Sequence, residues 1–473
     1  MNDSPQIGSH IHLIAICGVG MASLAGLLQA RGYRVTGSDQ NIYPPMSTYL
    51  AEIGINVLPG FQPDHLMPTP DLVVIGNAVS RNNPEADAVL RQNIPYISFP
   101  QALGQFLIGS RSSLVITGTH GKTTTTALAA WVLTHAGLDP GFFIGGVPLN
   151  FGSGWCPGTG EHVVIEGDEY DTAFFDKGPK FLHYRPRNVI LTSIEFDHAD
   201  IYRDLDDVKS AFGKLIEIIP ADGSLIVCGD YPAAKELAKS ACCPRVSYGE
   251  SSESDWKATD VEFCDGRTFF EPCYHGKSDG RLEVGVIGRH NMMNALAVYA
   301  MGRTLGLARE TLNSAFQGFE GVKRRQEKRG ERRGVLVIDD FAHHPTAVRE
   351  TIEAVKSAYR GRRVWAVFEP RSNTSKRNIF EKEFAEALGL ADRVVIANVY
   401  QPEKISESER LSVENVAGLI NGRGAAPKAR VSGGAAEIAS QLACEAESGD
   451  VVLVMSNGGF DSVHEKILQA LAR

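Results

Sequence analysis

The segment that most constrains the fold is an apolar run that leads through a glycine-rich loop into a helical stretch. Residues 114–117 are followed by Gly118-Thr119-His120-Gly121-Lys122-Thr123-Thr124, and residues 125–135 have helical character. A strand, a glycine loop and a helix in this order cradle phosphate, because backbone N–H groups and the helix start face the anion. Lys122 adds positive charge, and the Thr123 hydroxyl can ligate Mg²⁺. Ile116 stands where the usual pattern has glycine, so an ordinary strand–helix turn is the alternative to a nucleoside triphosphate site.

A second glycine loop lies near the N-terminus, in an α/β segment that we place at residues 1–108. An apolar run precedes Gly18 and Gly20, an amphipathic stretch follows, and Asp39 comes about 20 residues later. This is nearly the dinucleotide-binding fingerprint, in which glycines admit a diphosphate and an acidic residue meets a ribose. Ser23 replaces the third glycine, so the pattern predicts a nucleoside diphosphate site without specifying the nucleotide.

Carboxylates follow two apolar runs of the central segment, which we place at residues 109–322. Glu166 belongs to the first group, and Asp197 and His198 belong to the second. Because ligands of doubly wound sheets sit beyond the carboxyl ends of the strands, both groups can converge on the phosphate loop. We therefore expect Thr123 and Glu166 to bind Mg²⁺, with His198 as a further metal ligand. Solvated acidic turns are the alternative.

The end of the central segment carries an amide-rich helix start and then a basic run. His290 and Asn294 lie on one helical face, and together with Asn291 they can read a purine edge or cap the helix. The basic run, residues 323–333, has the composition of a solvated linker and is our candidate hinge. Its position also allows an arginine, such as Arg324, to reach a phosphate from another domain.

The third segment, residues 323–473, again alternates apolar runs with polar turns. Asp340 and His343 follow one run, Arg371 follows a second, and Ser456 and Asn457 follow a third. If these runs are parallel strands of one sheet, their turns should line a single cleft.

The composition limits the partners of the chain. A formal net charge of −9 argues against nucleic-acid or anionic-membrane binding, which requires clustered Lys and Arg. The sequence shows no apolar run of transmembrane length and no secretory signal pattern, and the eight cysteines lack metal-type spacing. We expect a cytoplasmic protein, a monomer or weak homodimer, that binds small molecules.

Taken together, these motifs resemble those of the Mur ligases, ATP-dependent enzymes that form amide bonds in peptidoglycan synthesis. The phosphate loop of that family also lacks the first glycine. Further family motifs are matched in the same order by Asp197-His198, His290-Asn291 with Asn294, Lys323-Arg324-Arg325 and Asp340-Phe-Ala-His343-His344-Pro345. The resemblance covers essentially the whole chain.

The resemblance implies a three-domain α/β architecture: a Rossmann-like UDP-binding domain (1–108), a P-loop ATPase-like central ATP-binding domain (109–322) and a Rossmann-like peptide-binding domain (323–473). It implies ATP and Mg²⁺ as cofactors. The implied ATP-binding residues are Gly118, Thr119, His120, Gly121, Lys122, Thr123, Thr124, His290, Asn291, Asn294 and Arg324. The implied metal ligands are Thr123, Glu166 and His198, and the implied catalytic residues are Lys122, Glu166, His198, Asp340 and His343, the last two acting on the incoming amine. Gly18, Gly20 and Asp39 would bind the donor, and Arg371, Ser456 and Asn457 the peptide.

Within the family, the chain is most similar to the branch whose donor is UDP-N-acetylmuramate. Residues 166–177, 181–186, 369–374 and 455–460 resemble the member that adds the recycled murein tripeptide L-Ala-γ-D-Glu-meso-diaminopimelate. The member that adds free L-alanine is the alternative. Several relatives use a carbamylated lysine, for which Lys214 is the nearest candidate. The implied reaction activates the donor carboxylate as an acyl phosphate, and we expect the three domains to close for it.

Two other classes compete with a ligase. A nicotinamide oxidoreductase would explain Gly18 and Gly20 but not the loop at Lys122 or the two acidic groups. A non-catalytic nucleotide-binding protein would explain the loop, and acceptor-dependent ATP turnover would exclude it.

Overall fold

Three sheets rich in parallel strands follow one another along the chain in the computed structural model, which describes residues 5–197, 201–264, 266–422 and 427–472. Helices connect most of the parallel strands. The predicted three-part α/β architecture is therefore confirmed. No helix of the described residues is both long and apolar enough to span a membrane.

The first sheet has five parallel strands with the crossover order of a doubly wound fold. In spatial order they are Val57–Pro59, Arg34–Asp39, His10–Ile14, Leu72–Ile75 and Tyr96–Ser98. The helices of this part are Val19–Ala30, Met46–Glu52, Pro84–Arg91 and Phe99–Ala102, with a π-helical turn at Leu103–Ile108. The connection order reverses at His10–Ile14, so the loop that contains Gly18 opens at the switch point where such sheets bind ligands.

The central sheet places the phosphate loop between the two acidic groups. Its strands, in spatial order, are Lys277–Ser278, Arg267–Tyr274, Trp256–Cys264, Arg245–Tyr248, Ser224–Cys228, Pro186–Leu191, Ser112–Thr117, His162–Gly167, Gly141–Phe143 and Trp155–Cys156, and Leu282–Val284 also pairs with Arg267–Tyr274. Ser112–Thr117 is parallel to both of its neighbours. The helices of this part are Lys122–His135, Leu205–Glu217, Pro232–Ala238, Arg289–Thr304 and Arg309–Gln317, and a small hairpin pairs Asp171–Ala173 with Asp176–Pro179.

The third sheet has six strands, in the spatial order Glu327–Arg332, Val335–Asp340, Val451–Met455, Val364–Phe368, Arg393–Ala397 and Ala429–Ser432. All pairings are parallel except that of Glu327–Arg332. Helices Pro345–Ala358, Glu381–Leu388, Val413–Asn421, Ala435–Glu445 and Val463–Leu471 cover it. The three predicted turns follow three adjacent parallel strands and so lie at one edge of the sheet, while the expectation that they line a single cleft stays a prediction.

Alternation along the strands of the third sheet builds a core on each face. Leu336 and Ile338 pack into one apolar cluster, and Val335 and Val337 pack into the opposite one. A sheet that is buried on both faces fixes the positions of its strand ends, and the polar turns of this part are mounted on those ends.

The basic run after the central sheet is mostly a strand. Glu327–Arg332 pairs antiparallel with Val335–Asp340, so the interpretation of residues 323–333 as a solvated linker was wrong for most of their length. The four preceding residues make the connection, and Arg324 and Gln326 adopt positive φ. Alternating charges did not prevent strand formation here, because an edge strand exposes one face to water.

Candidate active site

Glycine is required at two positions of the phosphate loop. Gly118 has φ 130° and Gly121 has φ 78°. A Cβ at Gly121 would lie 2.5 Å from the Asn294 Oδ1 atom, and one at Gly118 would collide with Thr192. The loop therefore packs closely against the strand and helix behind it, and helix Lys122–His135 begins directly after Gly121. This geometry leaves the first N–H groups of the helix available to an anion.

Carboxylates surround the Lys122 ammonium. Its Nζ atom donates to the Gly118 carbonyl at 2.7 Å and lies 3.0 Å from the Glu169 Oε2 atom. Burial disfavours the charged form, but the carboxylates of Glu169 and Asp168 outweigh this effect and raise the pKa of Lys122. Lys122 is therefore held as a cation beside the loop, where a bound phosphate would compete with Glu169 for it.

Glu166 and Thr123 are in direct contact. The Thr123 hydroxyl donates to Glu166 Oε1 at 2.9 Å, and the Gly145 N–H donates to Oε2 at 2.8 Å. Burial, reinforced by the neighbouring Asp168 carboxylate, raises the pKa of Glu166 although Lys122 opposes the shift. A buried group of acids with one nearby cation has an excess of negative charge, and a hydroxyl joins it as an oxygen donor. This donor set fits a divalent cation such as Mg²⁺.

A cavity of about 350 Å³, which we call the phosphate-loop cavity, joins the loop to the helix that starts at Arg289. Its lining includes the predicted residues His120, Gly121, Thr123, Thr124, His290, Asn291 and Asn294. Thr119 lies behind the loop, where its hydroxyl accepts the Glu195 N–H at 2.9 Å. Burial and the nearby Arg325 charge lower the pKa of His290 to about 4, so its ring is neutral at pH 7. A neutral imidazole and two amides suit hydrogen bonding to a base.

The third part of the chain closes the phosphate-loop cavity. Arg325, Gln326, Asp340 and Thr351 line it opposite the loop. The Arg325 guanidinium donates to the Thr123 hydroxyl at 3.3 Å, and the Gln326 side chain contacts Asn291 at 3.2 Å. The cavity is therefore formed by two parts of the chain, and neither part contains it alone.

The arginine in this cavity is Arg325 and not the predicted Arg324. Arg324 points to the third sheet, where its Nη2 atom donates to the Ser456 and Gly458 carbonyls at 2.7 Å each and its Nε lies 3.3 Å from Asp339. The basic pattern could not distinguish adjacent arginines, because the positive φ of Arg324 decides which of them turns toward the loop.

Asp340 was expected near the incoming amine, but it lies in the wall of the phosphate-loop cavity. Its carboxylate accepts the Gln326 and Ala342 N–H groups, each at 2.8 Å. Burial raises the pKa of Asp340, and Arg325 acts against this shift. His343 is close by in sequence, its Nδ1 lies 2.9 Å from the Phe341 carbonyl, and burial lowers its pKa.

Glu195 connects the phosphate loop to the third part of the chain. Its Oε2 atom lies 2.7 Å from His120 Nε2 and accepts the Thr346 hydroxyl at 3.0 Å, and His344 Nδ1 is 3.9 Å away. Burial opposes ionisation, but the hydrogen bond from His120 outweighs it and lowers the pKa of Glu195. Within the described residues, His120, Glu195 and His344 form the single His/Glu cluster close enough to hold a metal ion. The predicted metal ligand His198 lies outside the described residues.

The first sheet carries a larger cavity of about 650 Å³, the first-sheet cavity, lined by all three predicted donor residues. Gly18 and Gly20 stand at the start of helix Val19–Ala30, and a Cβ at Gly20 would lie 3.2 Å from the Phe99 ring. The Asp39 carboxylate accepts the Cys17 and Asn41 N–H groups at 2.9 and 2.8 Å. These bonds hold Asp39 at the rim of the glycine loop, the place that the fingerprint predicts.

The predicted peptide-binding residues form one cluster on the third sheet. The Arg371 guanidinium stacks on the Tyr400 ring at 3.7 Å and lies 3.6 Å from the Glu369 carboxylate, which accepts the Ser456 hydroxyl at 2.6 Å. The buried Asn457 Oδ1 atom has no hydrogen-bond partner among the described residues. The cluster thus contains one cation, Arg371, and one carbonyl oxygen without a partner among the described residues. Lys214, the candidate for carbamylation, is exposed at the end of helix Leu205–Glu217.

Lys180 is a residue that the sequence patterns did not indicate. It is 9% exposed and lines both the first-sheet cavity and a smaller cavity of about 190 Å³ that also contains Glu166 and Asp168. Its Nζ atom lies over the Tyr170 ring at 4.1 Å from the centroid. A buried lysine among aromatic residues leaves no periodic signal in a sequence.

Three family models match consecutive parts of the chain. They describe a Mur ligase family catalytic domain (residues 10–111), a Mur ligase middle domain (116–302) and a Mur ligase glutamate ligase domain (324–458). With the phosphate loop, the acidic groups and the three sheets, these matches show that the chain belongs to the Mur ligase family. It is accordingly a ligase of the ATP-dependent, amide-forming type.

Relatives that match nearly the whole chain include ligases named for a tripeptide acceptor and ligases named for alanine. The chain is 41% identical, over 98% of both chains, to the UDP-N-acetylmuramate–L-alanyl-γ-D-glutamyl-meso-2,6-diaminoheptandioate ligase of Escherichia coli K12. It is also similar to the crystal structure of a murein peptide ligase from Psychrobacter arcticus (37% identity, TM-score 0.72, 98% and 99% of the two chains covered). A UDP-N-acetylmuramate–alanine ligase from Thermotoga maritima is 26% identical with a TM-score of 0.80 over 98% of each chain.

Proposed function

We propose that this ligase joins the tripeptide L-Ala-γ-D-Glu-meso-diaminopimelate to UDP-N-acetylmuramate in peptidoglycan recycling. The observation that carries the proposal is the 41% identity, over nearly the full length, to the tripeptide-adding ligase of Escherichia coli. The better overlay on the alanine ligase supports the alternative acceptor, free L-alanine. We give it less weight because a TM-score reports the arrangement of the backbone and not the side chains that select an acceptor.

ATP fits the phosphate-loop cavity. The loop supplies N–H groups for phosphates, while His290, Asn291 and Asn294 supply groups for a base. Thr123 and Glu166 would hold Mg²⁺, which would neutralise phosphate charge when bound. Lys122 precedes Thr123 at the helix start, Arg325 donates to the Thr123 hydroxyl, and both cations would stabilise the charge that develops during phosphoryl transfer.

The donor nucleotide fits the first-sheet cavity, with its diphosphate at Gly18 and Gly20 and a ribose hydroxyl at Asp39. The acceptor fits the third-sheet cluster, where Arg371 can bind a carboxylate and Asn457 can accept a peptide N–H. This assignment supports domain boundaries near residues 108 and 322. It also fits a cytoplasmic location, since all three substrates are soluble metabolites.

The proposed reaction has two transfers. The lactyl carboxylate attacks the γ-phosphate and forms an acyl phosphate, and ADP leaves. The amine of the acceptor then attacks the acyl carbon, and phosphate leaves. A neutral His343, kept so by burial, could accept the proton of that amine. Water must be excluded throughout, because it would hydrolyse the acyl phosphate.

A phosphate-release assay with ATP, Mg²⁺ and UDP-N-acetylmuramate tests the acceptor. Tripeptide should support release and free L-alanine should not, and mass spectrometry should find the UDP-linked tripeptide. Efficient ligation of L-alanine with an inert tripeptide would establish the alternative. If neither acceptor supported the release of phosphate, both assignments of the acceptor would be contradicted.

A further inference from the structure

The smaller cavity beside Lys180, which we call the connecting cavity, shares the lining residues Gly20 and Phe99 with the first-sheet cavity. It is also lined by Asp168 and by Glu166, which accepts the Thr123 hydroxyl of the phosphate loop. Lys180 lines both this cavity and the first-sheet cavity. A donor that reaches through the connecting cavity from the glycine loop to Glu166 therefore meets the Lys180 side chain.

Lys180 is the sole cationic side chain among the described residues that line these two cavities. The donor of the proposed function brings two kinds of anion, a diphosphate and a lactyl carboxylate. The diphosphate has N–H donors at the helix that starts at Val19. The carboxylate has to approach Glu166 and Asp168, which repel it, and a cation in the connecting cavity, in addition to Lys122 and the proposed Mg²⁺, offsets that repulsion.

The contacts of Lys180 leave it capable of binding a ligand. Its Nζ atom is 3.5 Å from the Asp168 Oδ2 atom, longer than the 2.7–2.9 Å of a strong charge-assisted hydrogen bond. The Tyr170 ring, 4.1 Å from Nζ, fixes the direction of the side chain. A lysine kept only for an internal ion pair would be expected to approach its partner more closely.

We propose that Lys180 binds the carboxylate of the sugar nucleotide donor and so places it for attack on the γ-phosphate. This inference rests on the proposed function and adds a specificity-determining residue to it. A donor without that carboxylate gains nothing from Lys180. The cation therefore distinguishes a muramic acid nucleotide from the otherwise identical N-acetylglucosamine nucleotide.

The test uses the full chain and two sugar nucleotides. Lys180→Met should raise the KM for UDP-N-acetylmuramate by about 10- to 100-fold, the effect of losing one charge-assisted hydrogen bond. The inhibition constant of UDP-N-acetylglucosamine, which lacks the lactyl group, should stay within about threefold if Lys180 makes no contact with the diphosphate. Lys180→Arg, which keeps the charge, should recover part of the loss.

Lys177→Met is the matched control, because Lys177 lies three positions away, is 70% exposed and pairs with Asp171. It should change neither constant. If Lys180→Met raised both the KM for UDP-N-acetylmuramate and the inhibition constant of UDP-N-acetylglucosamine, the lysine would bind the diphosphate. If neither constant changed, Lys180 would have only a structural role. Each of these results overturns the proposal. If Lys180→Met loses ATP-analogue binding through misfolding, Lys180→Gln carries the same test. A wild-type protein that ligates no acceptor would instead refute the proposed function.

Discussion

Replacing Glu195 by glutamine tests whether the two walls of the phosphate-loop cavity are energetically coupled. The substitution keeps the shape of the side chain but removes the charge that His120 and Thr346 both contact at the Oε2 atom. Hydrogen bonds to a charged group contribute about 1.5–3 kcal/mol each. The Glu195 side chain is 29% exposed and glutamine keeps a side-chain oxygen that can accept one of the two bonds, so we expect a combined loss below the sum for two charged bonds, about 2 kcal/mol.

A loss of this size corresponds to about a 30-fold decrease in kcat/KM for the tripeptide. The dissociation constant of a non-hydrolysable ATP analogue, measured without peptide, should change less than about threefold, since the loop backbone keeps its bonds to Ser193. Thr346→Val removes only the hydroxyl bond and should cost about fivefold. The double variant should then lose less than the product of the two single effects. Independent, multiplicative effects would refute the coupling, and so would an equal loss of ATP affinity.

Four further predictions concern single groups. Lys122→Ala should lower kcat about 10²- to 10³-fold in the phosphate-release assay, and near-normal turnover by a folded variant would remove the loop from the mechanism. Glu166→Gln should raise the Mg²⁺ concentration needed for half-maximal activity; an unchanged Mg²⁺ titration would leave this carboxylate merely structural. Arg371→Ala should raise the KM for tripeptide at least about tenfold without changing those for ATP and donor, and a uniform loss would indicate a damaged fold. His290 has a pKa near 4 in the fold, below its ordinary 6.5, so its contribution to stability is present above pH 6.5 and falls by up to about 3 kcal/mol as the pH drops toward 4. His290→Gln should therefore show a smaller fall in Tm between pH 7 and pH 5, and an equal fall would contradict the assignment.

The sequence was most informative where local chemistry determines backbone geometry. The phosphate loop could be predicted because its backbone needs positive φ at two positions, and this need leaves Gly118 and Gly121 as a visible pattern in the sequence. The helix begins at the position that the pattern indicates. The edges of the parallel sheets could be predicted as well, since buried strands have a strong apolar signal. Asp339 and Asp340 are an example, because they are the last two residues of a buried strand and lie at the predicted edge of the sheet.

Long-range pairing was not available from one sequence. The basic residues 327–332 form a strand because Val335–Asp340 offers an open edge to them, and nothing in their composition indicates a strand. Arg324 and Arg325 have the same chemistry, and only the backbone between the two sheets directs Arg324 to the Ser456 carbonyl and Arg325 to the Thr123 hydroxyl. No sequence pattern indicates Lys180 either, because tertiary structure brings its neighbours Phe99 and Tyr170 to it.

The shared wall of the phosphate-loop cavity has a consequence for the timing of catalysis. Arg325, Gln326 and Asp340 cover one side of the space, and His120 and Thr123 cover the other. If ATP occupies this cavity as proposed, its product ADP leaves most readily when these two sides separate, and the same separation admits water to the acyl phosphate. We therefore expect amide-bond formation to precede the exchange of ADP for the next ATP.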